Sequence, residues 1–141
     1  MIKEIQIHME HLMTDQVQIQ ADELLELFVH TELLPYTDGI YKDGPTIFEM
    51  TPTQFDEEEQ DVTLYIPVIS ETNSTSQLRY QASLSIEGIS KRVPFEDGLD
   101  QSIYEMKDYR DHGWKLQDKL YLVLIPVYDD LFVDLIIPVE K

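Results

Sequence analysis

A chain of 141 residues, 43% of them apolar, is long enough to bury one ordinary core and too short for two large domains. Its 28 acidic residues against 10 basic ones give a formal charge of −18, a field that repels nucleic acid and anionic membranes and favours cationic ligands or a basic protein partner. Cysteine is absent, which excludes disulfides, thiolate metal sites and a cysteine nucleophile and fits a cytoplasmic protein.

In chain order, Lys3–Met9 comes first and alternates, with Ile5, Ile7 and Met9 on one side and Glu4, Gln6 and His8 on the other, which predicts a half-buried strand rather than a signal peptide. A polar stretch, TDQVQIQAD, follows. ADELLELFVHTELL then places Leu24, Leu25 and Phe28 at helical spacing, and the helix must stop before Pro35. YTDGIYKDGP is turn chemistry, TIFEM a strand, TPTQFDEEEQ an acidic turn and DVTLYIPV the next strand. ISETNSTSQ reads as a linker, and LRYQASLSIEG alternates as a strand again. VPFEDGLDQSIYEMKDYRDHG is helical, with Leu99, Ile103 and Met106 on one face and Gly113 as its stop. KLYLVLIPV and LFVDLIIPV close the chain as two strands around a short turn at Asp129-Asp130, and no apolar run nears the roughly 20 residues a bilayer requires.

The two halves repeat each other. A shift of 74 positions puts Gly39 on Gly113, Pro52 on Pro126, Leu25 on Leu99 and Val29 on Ile103. A shift of 71 then puts Ile66-Pro67-Val68 on Ile137-Pro138-Val139. The expected fold is therefore α+β: two pseudo-symmetric β-α-β-β repeats forming one antiparallel sheet, with helices on one face and a central cleft on the other. One domain spans 1–141, with repeat one at 1–69, a linker at 70–77 and repeat two at 78–141.

Strand parity gathers a candidate site. Phe132, Asp134 and Ile136 share one face of the last strand, and the repeat carries that face to Asp61, Thr63 and Tyr65. With Glu49 and Tyr121 from the neighbouring strands, the open face collects Glu49, Thr63, Tyr65, Tyr121 and Asp134, and Trp114 and Tyr41 could form rims beside the glycine turns. Aromatic faces attract a cation by about 0.5–2 kcal/mol each, and a partly desolvated carboxylate adds a stronger Coulomb term. The plainer alternative is a solvated sheet face, with Asp134 paired to Lys119.

Other chemistry is poorly represented. His8, His11, His30 and His112 make no compact ligand set, and DEEEQD at 56–61 lacks the glycine and alternating oxygens of a calcium loop. No nucleophile elbow, phosphate loop or dinucleotide fingerprint appears, so neither a cofactor nor an enzyme activity is expected.

The duplicated β-α-β-β unit, the helix ending at HGWKL and the terminal acid-plus-IPV strand resemble the GyrI-like superfamily of small-molecule-binding domains, which includes effector domains of multidrug-sensing regulators. The resemblance implies a ligand-binding, non-enzymatic protein for small cationic or apolar molecules, with the acid of the last strand in the cleft. Here that acid is Asp134 where the family has Glu, shorter by one methylene. No DNA-binding segment is expected, so direct contact with nucleic acid is not, nor is a membrane. A protein-interaction module (an immunity protein, a secretion chaperone or an inhibitor of a basic partner) is the alternative that the acidity also fits.

Overall fold

In the computed structural model the first strand does not stop at Met9. β1 runs Lys3–Gln20, so the polar stretch after Met9 is strand, with Val17 and Ile19 packed on the main core. The break that hides this lies at His11, which has φ 63 and no ladder partner between the pairs Glu10↔Ser83 and Leu12↔Gln81. Ala82 opposite it is unpaired as well, so the register is the same on both sides, and what changes past His11 is the cluster that β1 faces: Ile5, Ile7 and Met9 pack on one, Val17 and Ile19 on the other. His11 is held there by its Nδ1, 2.6 Å from the Tyr80 hydroxyl, and by its carbonyl, which accepts the Val68 N–H at 2.8 Å.

The structure describes residues 2–20, 23, 26, 27, 29, 44–51, 59–68, 78–97, 99–108 and 115–140. Of the first expected helix, Glu26, Leu27 and Val29 are helical, and the Leu27 N–H donates to the Glu23 carbonyl at 3.0 Å, one α-helical turn back. Its remainder, the Asp-Gly turns, most of the acidic turn and the linker lie outside the described residues.

The other strands are β2 Ile47–Met50, β3 Glu59–Pro67, β4 Arg79–Pro94, β5 Lys115–Leu116, β6 Leu120–Val127 and β7 Asp130–Glu140, with a 3₁₀ turn at Phe95–Asp97 and helix α1 at Asp100–Lys107. The second helix is thus shorter than expected from 93–113. Val93 and Pro94 extend β4 instead, and the 3₁₀ turn follows them. β7 also continues past Ile137-Pro138-Val139 to pair with β5 through Leu116↔Val139 and Lys115↔Glu140.

The sheet is antiparallel with strand order β4-β1-β3-β2-β6-β7-β5, and a further β4–β7 pairing closes its first six strands into a ring. The long strands β1 and β4 make the closure possible by changing partners along their length. β1 pairs with β4 from Lys3 to Thr14 and with β3 from Leu12 to Gln20. β4 pairs with β1 up to Ser90 and with β7 from Gly88 to Pro94. At the second crossing a Cβ on Gly88 would lie 2.2 Å from the Ile137 carbonyl oxygen, so only glycine fits.

The two faces have different cores. Phe48, Leu64, Leu122, Leu135 and Ile137 pack with Leu99, Ile103 and Met106 of the α1 segment. Each fully buried side chain of this kind stabilises the fold by about 1.5–3 kcal/mol. Lys91 Nζ reaches Glu105 Oε2 at 2.6 Å and ties α1 to β4. The inner face carries a second cluster: Ile47, Tyr121, Val123 and Ile136, against Ile86 and the half-buried Ile5, Ile7, Met9 and Leu84 of the β1–β4 ribbon.

Candidate functional site

Residues paired directly across an antiparallel ladder point to the same face. One row on the inner face runs Gln16–Thr63–Glu49–Tyr121–Ile136–Ser90 across β1, β3, β2, β6, β7 and β4. The adjacent row runs Thr14–Tyr65–Ile47–Val123–Asp134–Arg92 over the same strands, with Arg79 of β4 beside Thr14. The expected set of Glu49, Thr63, Tyr65, Tyr121 and Asp134 therefore lies on one face. Trp114 and Tyr41 fall outside the described residues.

The face is less open than expected. Tyr121 is buried, while Glu49, Thr63, Tyr65 and Asp134 are half-buried. The Tyr65 hydroxyl donates to Glu49 Oε1 at 3.1 Å, and the Tyr65 and Tyr121 ring centroids are 6.4 Å apart, tilted by 51°. Burial, and then the Glu49 charge, push the Tyr65 hydroxyl up to about 12. The same two causes raise Tyr121 further. Both phenols are therefore neutral donors beside a carboxylate that has further acceptor positions to offer. Among the described residues no Lys, Arg or His lies within ion-pair distance of Glu49.

Asp134 is in a different state. Its Oδ1 and Oδ2 accept from Arg92 Nε at 2.7 Å and Nη2 at 3.0 Å, a two-pronged pair between directly opposed residues. The partner is thus Arg92 rather than Lys119, because β4 sets Arg92 directly opposite Asp134, whereas on β6 the opposite residue is Val123 and the start of the strand faces Ile136. The Asp134 side chain is 18% exposed and that of Arg92 is 60% exposed, so the carboxylate is the sheltered partner and the guanidinium covers it.

A cleft of about 430 Å³ opens at the β1 side of the face, lined by Thr14, Asp15, Gln16, Thr63, Tyr65, Arg79 and Gln81. Asp15 Oδ1 is turned back onto the Gln16 N–H at 2.8 Å. Only Thr63 and Tyr65 of this lining were expected. The others sit on the hidden extension of β1 and at the start of β4, and the resumed alternation of Val17 and Ile19 was the signal that could have found Thr14 and Gln16.

No family model matches the chain, and no curated protein does. Solved structures do. The EcmrR C-terminal domain superposes with a TM-score of 0.68 at 16% identity, over 99% of this chain and 98% of that one. The chain has the GyrI-like fold. The same match recurs in the EcmrR–DNA complex, where it spans 58% of the EcmrR chain. SAV2435 bound to tetraphenylphosphonium, another GyrI-like structure, matches with a TM-score of 0.57 at 6% identity, over 99% of this chain and 94% of that one. Among the described residues no helix is long and apolar enough to cross a membrane, and no group of three or more His, Asp or Glu is placed to hold a metal ion.

Proposed function

We propose that the chain is a non-enzymatic small-molecule receptor of the effector-binding type, and that its inner face takes lipophilic cations against Glu49, Tyr65 and Tyr121. The observation that carries this reading is the half-buried Glu49 carboxylate, which receives the Tyr65 hydroxyl and faces no cation among the described residues. A cation placed there meets a partly desolvated charge and two aromatic rings. That SAV2435 is a tetraphenylphosphonium complex with this fold supports the ligand class. Thr63 lines the entrance, and Asp134 is the second acid of the face, available to a ligand only when Arg92 moves away. Its strongly negative surface disfavours direct contact with nucleic acid.

We also read 1–141 as one domain built from two copies of a unit. The register supports this: Ile47↔Tyr65 and Glu49↔Thr63 in the first half match Tyr121↔Ile136 and Val123↔Asp134 in the second. The β2–β6 pair Phe48↔Leu122 then joins equivalent positions.

Calorimetric titration with tetraphenylphosphonium tests the function. Binding by the native chain, weakened about tenfold in Glu49→Gln with an unchanged melting temperature, is the expected result; a tenfold loss corresponds to about 1.4 kcal/mol. No binding, or equal binding by the variant, overturns the assignment of Glu49.

A further inference from the structure

The polar cleft beside Tyr65 is poorly matched to a purely apolar cation. The lining side chains that face it from Thr14, Gln16, Thr63 and Gln81 offer hydroxyls and amides, and Arg79 adds a guanidinium. Register fixes how Arg79 joins the site: Arg79 pairs with Thr14, and Thr14 pairs with Tyr65, so all three share the inner face.

The two arginines of that row are used differently. Arg92 at one end is spent on Asp134. Arg79 at the other end is solvent-exposed, and among the described residues no carboxylate lies within ion-pair distance of it. The one acid of the lining, Asp15, pairs across to Leu64, whose side chain belongs to the other face, and its Oδ1 accepts the Gln16 backbone N–H. Glu49 and Arg79 are separated by three strand spacings and one row along the strands, roughly 16 Å between backbones, which their own side chains shorten from both ends.

We propose that this cleft and Glu49 beside it, joined through Tyr65, together take an amphoteric ligand: a cationic, aromatic or apolar body seated at Glu49 that carries, on a tether, a carboxylate or similar anionic acceptor for Arg79. The inference rests on Glu49 being a cation site, and it adds the second pole of the ligand. An acidic protein that used its overall field alone would favour the most positive ligand available. A local guanidinium across the cleft instead favours one whose charges are separated along its length.

Two phosphonium cations of matched size separate the possibilities, pentyltriphenylphosphonium and (4-carboxybutyl)triphenylphosphonium, each titrated calorimetrically at fixed ionic strength. The quantity read is the ratio of their affinities. In Arg79→Gln the ratio is expected to fall about fivefold against the carboxylate, with the affinity for the pentyl compound unchanged. Lys107→Gln removes the same charge from the exposed last turn of α1 and is expected to leave the ratio where it is. An unchanged ratio in Arg79→Gln, or an equal fall in Lys107→Gln, overturns the proposal while the cation site stands. If neither phosphonium binds the native chain, the cation site itself is wrong and the amphoteric ligand falls with it.

Discussion

On one side of the Phe48↔Leu122 pair, the inner face presents Glu49 with two tyrosines around it. On the other side Asp134 is already held by Arg92. The backbone registers of the two sides correspond pair for pair, yet their electrostatics differ. An acid whose neighbours are neutral donors can still attract a cation from solution. An acid under a two-pronged guanidinium attracts a second cation only by displacing the first. Position on the sheet therefore does not decide which half receives a ligand, and the residue on the adjacent strand does.

The two halves also bend their long strands differently, and this difference carries the largest predicted effect. β1 changes partners next to His11, an L-residue at φ 63 held by Tyr80, whereas β4 changes partners at Gly88. Gly88→Ala forces a methyl against the Ile137 carbonyl and is expected to cost about 3 kcal/mol or more in urea unfolding. His11→Gly relieves a left-handed conformation while losing the Tyr80 contact, and is expected to stay within about 1 kcal/mol of native. Equal costs at the two sites would mean that side-chain bonding, and not backbone clearance, sets both bends.

Arg92→Gln makes the second half resemble the first. Loss of a two-pronged ion pair with an exposed guanidinium costs about 1 kcal/mol of stability, but it uncovers a carboxylate on the inner face. Affinity for tetraphenylphosphonium is expected to rise several-fold, and the double change Arg92→Gln/Asp134→Asn to return it to the native value. Asp134→Asn alone is expected to change affinity far less than Glu49→Gln. If Asp134→Asn is the more damaging, a ligand displaces Arg92 and the asymmetry between the halves has the opposite sense.

Much of this comparison is already written in the chain. The Ile-Pro-Val pair, with its shift of 71, corresponds to matching registers on β3 and β7. Period two placed Glu49, Thr63, Tyr65, Tyr121 and Asp134 on one face, and helical spacing identified Leu99, Ile103 and Met106 as core. What escaped had local physical causes. In β1 the apolar residues other than Leu12 stay at odd positions as far as Ile19, but His11 and Asp15 interrupt them, so the second half of the strand looked like loop. Gly88 looked like a strand end, although it is the point where β4 passes from one partner to another. Arg92 then fell between a strand and a helix, and its partner lies 42 residues away on a strand that meets β4 only through ring closure. Arg79 was visible as a residue but not as part of the site, because its place depends on β1 carrying Thr14 between β4 and β3.

The smallest effect tests the Glu49 side without any ligand. Tyr65 titrates near 12 in the folded chain against about 10 when unfolded, with burial the larger cause and Glu49 the next. Tyr121 is raised for the same reasons. The folded state thus holds protons that the unfolded state releases. The stability linked to them is fully present below pH 10 and is lost as pH rises through the folded values. Ultraviolet titration of tyrosinate should show two late-ionising groups in the native chain. In Glu49→Gln both should ionise earlier while remaining above the ordinary value, because burial persists when the charge is gone. If Glu49→Gln leaves both titrations unmoved, the carboxylate is not electrostatically exposed to the rings. A cation placed between them would then feel the two tyrosines without the acid, and the difference between the two halves of the cleft would be one of shape alone.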